Sequence, residues 1–280
     1  MSGVIWYSEY ALQPRRALSA IAAPGPRRGA LIRIGGGFAD IHPWPELGDA
    51  PLEAQLAALG RGQTTPLTRR SLEMAALDAQ ARDRGVSLFE GVSIPKSHWP
   101  GDDPPPEFDT VKLKSIERIP PNVRLRIDFN ATLRPEEFLM IAEGLPHDRV
   151  DFVEDPCPYD PDVWTALREQ TGLRLALDRT IAEEGVDVLV IKPALQDVPR
   201  TGKEIVVTSY MDHPVGQLHA AAIAARAATS ARCGLVTHVL FEPNDFSERL
   251  RLDGARLAPP GGTGIGFDDL LERLPWKKLA

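Results

Sequence analysis

The chain has 280 residues, 43% hydrophobic and 25% charged, with a formal net charge of -7 and a pI near 5.5. This composition allows a large core and excludes long disorder. The acidic balance argues against nucleic acid as the main partner, and no apolar run reaches the roughly 20 residues of a membrane span.

In chain order, residues 4–12 read as a strand, followed by turns at Pro14 and at 24–29. Residues 30–34 read as a second strand. Gly35, Gly36 and Gly37 come next without the Lys-Ser/Thr ending of a phosphate loop, and read as a mobile loop. Residues 52–59 and 68–84 have helical spacing, the latter with Leu72, Ala75, Ala76 and Ala79 on one side. Residues 1–88 therefore form a small α+β unit. Residues 86–95 read as the first strand of a second unit, and the run 101–106, with Pro104, Pro105 and Pro106, replaces the helix expected next.

From here a strand–helix repeat takes over. Short apolar runs at 123–128, 150–154, 173–178, 188–192 and 205–209 alternate with helical segments at 134–143, 161–170 and 217–229. Units of about 20 to 30 residues, with runs apolar at nearly every position, indicate a parallel sheet buried on both faces. Sustained this long, the repeat predicts a modified TIM (β/α) barrel over 89–245. The small α+β domain caps it, and a tail, 246–280, packs back. Residues at the carboxyl ends of barrel strands point into one mouth. Those ends here are Asp128, Glu154, Asp178 and Lys192, with Ser209 and Asp212 after the next run. Lys112 and Lys114 share one side of a further strand.

Three carboxylates with no His or Cys among them are hard oxygen ligands that select Mg²⁺, with Mn²⁺ as a substitute. A lysine is a weak base at its reference pKa of about 10.4. Burial beside a cation and another ammonium lowers that value toward neutrality. The chemistry indicated is metal-assisted removal of a proton from a carbon next to a carboxylate, then elimination or reprotonation. The two cysteines, Cys157 and Cys233, have neither metal spacing nor a disulfide framework and read as reduced thiols of a cytoplasmic protein. The start of the chain does not read as a signal peptide. The six histidines have no metal-type spacing and read as structural, with His213 singled out because it comes directly after Asp212. Trp6, Trp44, Trp99, Trp164 and Trp276 read mostly as core or interface aromatics, with a capping loop over substrate as the alternative place for Trp44.

Lys112-Leu-Lys114, Asp128-Phe-Asn130, Glu154-Asp-Pro156, Asp178, Lys192-Pro193 and Ser209…Asp212…Gly216 resemble the muconate-lactonizing branch of the enolase superfamily. Within that branch the best match is the o-succinylbenzoate synthase family. Residues 37–40 with Pro43 and Pro45 resemble its capping-domain loop, which closes over substrate. The lysine-and-magnesium chemistry of this superfamily is a known pattern. The resemblance implies Mg²⁺ on Asp128, Glu154 and Asp178, Lys114 as base and then acid, and Lys192 as the electrostatic stabiliser opposite. Lys112, Asn130, Ser209, Asp212 and Gly216 would serve substrate binding. The implied reaction is syn-elimination of water from 2-succinyl-6-hydroxy-2,4-cyclohexadiene-1-carboxylate to give 2-succinylbenzoate in menaquinone biosynthesis. The partner is a small-molecule carboxylate, bound by a monomer or small homo-oligomer. N-succinylamino acid racemases, dipeptide epimerases and muconate cycloisomerases share the lysine pair and are the alternatives; a barrel without catalysis is the reading of another class. Arg179 stands where the family usually has Glu after the third acid.

Overall fold

A computed structural model describes residues 3–18, 22–178, 180–227, 229 and 231–279. Strands β1 (Trp6–Leu12), β2 (Arg27–Ile34) and β3 (Gly37–Ile41) form an antiparallel meander. Helices α1 (Leu52–Gly60) and α2 (Pro66–Asp83) pack on it. The α2 start is set by sequence: Thr65 and Thr68 exchange side chain-to-backbone hydrogen bonds, and Pro66 occupies the first turn. Gly35 and Gly36 are the two residues of a tight β2–β3 turn, with φ of 56° and 84°. This corrects the mobile-loop expectation, since two consecutive positive-φ residues are what a type I′ hairpin requires. Gly37 already belongs to β3, and a Cβ there would overlap the backbone of α2 at Ala75.

The second unit is a six-stranded parallel sheet in sequential order: β4 (Thr110–Leu113), β5 (Arg124–Asp128), β6 (Val150–Glu154), β7 (Leu175–Asp178), β8 (Val188–Ile191) and β9 (Glu204–Val207). Two short extended segments join its edges. Thr208 bridges Gly234, Ser97 bridges Cys233, and Trp99 bridges Val111, all parallel. The ring therefore closes with eight members, the fold being a (β/α) barrel stripped to essentials. The first member is the segment at Ser97–Trp99, not residues 86–95. Leu88, Phe89 and Ile94 are apolar because they pack against the C-terminal half of the chain, not because they lie in the sheet.

Outside the ring lie α3 (Pro135–Glu143), α4 (Pro161–Thr171) and α5 (Pro214–Arg226). Asp160 caps α4 by accepting from the backbone N–H groups of Asp162 and Val163, and Gly172 ends it at φ 68°. Among the described residues, the connections after β4, β7 and β8 contain no helix. The end of the chain returns to both units. A hairpin, β10 (Arg251–Asp253) and β11 (Arg256–Ala258), is followed by α6 (Asp268–Glu272) and by β12 (Lys277–Lys278), which pairs with β1. Buried Asp78 of α2 ties this return: it accepts from Phe38 N, Ile265 N and Arg82 Nε.

Candidate active site

Alternation along β4 puts Lys112 and Lys114 on one side, toward the β5 and β6 strand ends. Lys112 Nζ lies 3.0 Å from Asp128 Oδ2 and 2.7 Å from Glu154 Oε1, and Lys114 Nζ lies 3.8 Å from Asp128 Oδ2. Asp128 and Glu154 are directly paired in register. Lys192, at the end of β8, pairs with Asp178 at the end of β7. A cavity of about 510 Å³ opens over these groups, walled on the barrel side by Lys112, Lys114, Asp128, Asp178 and Lys192. Glu154 lies beneath it, 1% exposed. The other unit supplies a roof, including Arg16, Leu18, Trp44 and Leu47. Trp44 is held there by its indole N–H, which donates to Tyr210 O at 2.8 Å.

The two lysines of β4 are electrostatically unequal. Burial acts to lower the pKa of Lys112, but Asp128, Glu154 and Asp178 outweigh it, so its ammonium is strongly retained. For Lys114, burial, together with Lys112 and Lys192, outweighs the attraction of Asp128 and Glu154, and its pKa falls below the ordinary lysine value. Burial pushes Glu154 up to about 7, with Asp128 and Asp178 adding to the effect against the pull of Lys112. Burial also acts to raise Asp128, yet Lys112 and Lys114 hold it below the usual carboxylate range.

A fourth acid belongs to this site. Glu154, Asp155 and Asp178 each offer an oxygen within 4.8 Å of the others, an arrangement that fits a divalent metal. Asp178 Oδ1 is buried with no hydrogen-bond partner among the described residues, so this oxygen is free to serve as a cation ligand. Asp128 stands apart from that trio: Oδ2 faces the two ammonium groups, and Oδ1 accepts from Asn130 N at 2.9 Å. Of the expected set Asp128, Glu154 and Asp178, the last two fall within that trio, and Asp128 lies beside it with Lys112 between Asp128 and Glu154. Sequence reasoning missed Asp155 because strict alternation aims it away from Glu154. Its φ of 44° breaks the alternation and turns it into the cavity. Burial, then Asp178 and Glu154, raise its pKa well above the carboxylate range.

Asn130 and Ser209 also line the cavity, and Ser209 Oγ lies 2.5 Å from Thr237 Oγ1. Asp212 and Gly216 do not line it. They sit in a buried cluster between the two units, where a Cβ on Gly216 would come within 2.6 Å of Asp212 Oδ2 and 2.8 Å of Asp40 Oδ2. Their sequence spacing from Ser209 is that of a strand end running into α5, and the helix start carries them away from the mouth. Residues 37–40 are likewise strand, and the cavity takes Trp44, Glu46 and Leu47 instead. His213 caps α5, its Nδ1 accepting from Val215 N at 3.2 Å. The histidine in the cavity wall is His98, which its spacing did not distinguish from the others. Arg179 lies outside the described residues. No described helix is long and apolar enough to cross a membrane.

Residues 5–81 match the family model described as O-succinylbenzoate synthase, N-terminal domain. An o-succinylbenzoate synthase of Bdellovibrio bacteriovorus is 34% identical over 98% of this chain and 98% of its own. Among solved structures, a dipeptide epimerase from Cytophaga hutchinsonii, complexed with Mg and the dipeptide D-Ala-L-Val, superposes with a TM-score of 0.75 at 14% identity over all of both chains. An enolase superfamily member from Enterococcus faecalis V583 does so with a TM-score of 0.76 at 15% identity, over 100% of this chain and 99% of its own. At these identities the two structures speak for the fold alone.

Proposed function

The chain belongs to the o-succinylbenzoate synthase family and is an enzyme of the lyase class, and we propose that it removes water from 2-succinyl-6-hydroxy-2,4-cyclohexadiene-1-carboxylate to give 2-succinylbenzoate, with Mg²⁺, in menaquinone biosynthesis. The observation that carries this reading is the pairing of a lysine of lowered pKa, Lys114, with a second lysine, Lys192, at the β8 end of the same cavity. In an eight-membered ring, β4 and β8 lie diametrically opposed. A flat ring held between them meets one amine on each face.

Lys114 takes the proton from the carbon bearing the carboxylate and returns it to the departing hydroxyl on the same face. Lys192, held by Asp178, offers positive charge from the other face as the carboxylate gathers electron density. Lys112 stays charged and, by repulsion added to burial, weakens the hold of Lys114 on its ammonium proton. Glu154, Asp155 and Asp178, with Asp128 beside them, would hold the metal, which when bound neutralises charge on the substrate carboxylate. Formation of an aromatic ring drives the elimination, so correct placement of these few groups suffices.

The test is conversion of the cyclohexadiene to 2-succinylbenzoate by the purified enzyme with Mg²⁺, and its loss on chelation. Lys114→Ala should lower kcat by about 10³-fold with the fold intact by circular dichroism. Epimerisation of an N-succinylamino acid with no action on the cyclohexadiene would overturn the reading in favour of a racemase.

A further inference from the structure

The closed ring has a second consequence. Counted from the Ser97–Trp99 segment, the acids stand on members three, four and five. The members facing them are β9, the Cys233–Gly234 segment and the Ser97–Trp99 segment. These carry Thr208, Gly234 and His98 into the same cavity. His98 is 3% exposed and Thr208 is 6% exposed. The wall opposite the acids is therefore polar and uncharged.

Arg126 fixes the state of His98. Its guanidinium, 2% exposed, is anchored by Asp151 Oδ2 at 2.9 Å and by Arg232 O at 2.6 Å. Its Nη1 lies 3.0 Å from His98 Nδ1. A guanidinium only donates, so Nδ1 must accept, and the ring proton must sit on Nε2. Burial, and after it Arg126 and Lys112, oppose a second proton. Nε2 faces Gly234, where a Cβ would come within 3.0 Å of it and 2.7 Å of Thr208 Cγ2. Only glycine leaves that side of the cavity open. Thr208 Oγ1 is buried with no hydrogen-bond partner among the described residues.

We propose that His98, its tautomer locked by Arg126, presents a fixed Nε2–H that, with Thr208 Oγ1, holds an acceptor oxygen on the side arm of the substrate, the ketone or the terminal carboxylate. This rests on the dehydratase reading, in which the ring carboxylate occupies the acidic side and the arm extends across. His98 binds ligand; Arg126 is a positioning residue that acts through it.

The experiment uses full-length enzyme with Mg²⁺. Histidine ¹⁵N spectra should show His98 as the neutral Nε2–H tautomer from about pH 6 to 8, with that resonance moving on addition of 2-succinylbenzoate. By calorimetry, His98→Phe should weaken binding of 2-succinylbenzoate by about tenfold or more, and His98→Gln should recover most of it. Two analogues identify the oxygen, one with the ketone reduced to methylene and one with the terminal carboxylate replaced by methyl. The analogue lacking the held oxygen should bind wild type and His98→Phe alike. An Nδ1–H tautomer, an unchanged affinity in His98→Phe, or an equal loss for all three ligands would overturn the proposal. Wild type that fails to bind 2-succinylbenzoate overturns the dehydratase reading and this site with it. Binding by wild type that His98→Phe leaves unchanged overturns the role of His98 alone.

Discussion

Two lysines two residues apart on one strand carry opposite tendencies because of what each reaches. Lys112 touches two carboxylates, and Lys114 approaches one from farther away. Removing Lys112 leaves Asp128 and Glu154 buried side by side without a counter-charge. Lys112→Met should therefore lower the stability of metal-free enzyme by about 3 kcal/mol, measured by urea unfolding, with Mg²⁺ restoring most of it. Stability unmoved by either change would show that the ammonium does not hold the acids together. Asp155 gives a second test at this scale. Asp155→Asn keeps the shape but removes a charge from the trio, and should weaken Mg²⁺ binding about tenfold by calorimetry. If it binds Mg²⁺ as wild type does, Asp155 is a neighbour of the metal rather than a ligand.

Among the elements, the helices at 52–59, 68–84, 134–143, 161–170 and 217–229 were legible and are found within a few residues of those bounds. Their apolar spacing and their caps are local properties. The β2–β3 hairpin was not legible in the same way. Three glycines signal backbone freedom equally well in a tight turn and in a floppy loop. What separates the two is α2 packed on Gly37, a contact across some 40 residues of chain. Gly37→Val should thus destabilise by about 3 kcal/mol or more, since neither strand nor helix backbone can yield cheaply. Gly36→Ala should cost only about 1 kcal/mol, the strain of a positive φ. Urea unfolding of the two variants checks the order, and a reversal would contradict the described packing.

At the scale of the whole molecule, the cap sheet meets α5 through a cluster of acids. Asp40 Oδ1 accepts from Tyr10 O–H at 2.6 Å, and Oδ2 accepts from His213 N at 3.0 Å. Burial pushes Asp212 up to about 7, and burial followed by the charge of Asp212 raises Asp40 well above the carboxylate range. In the unfolded chain both acids return to about 3.9. The folded state thus binds more protons at these two groups over the interval between, so their contribution to stability is full below about pH 4 and is lost as pH rises through 7. Asp212→Asn removes one ionisation and should raise the melting temperature at pH 8, while flattening its decline from pH 6 to 8. Parallel melting curves for variant and wild type would mean that the pair does not titrate with folding.

The sequence by itself determined the barrel, the alternation that aims Lys112 and Lys114 together, and the acid-ended strands, because strand period and strand-end position are set by local pattern. The tertiary structure decided what depends on contacts between distant segments. It put Asp155 beside Glu154 through one left-handed residue, and it sent Asp212 and Gly216 to the boundary between units. It also set His98 against Arg126 on the wall facing the acids. Local pattern says which residues lie at a strand end. Only closure of the ring decides which strand ends face each other.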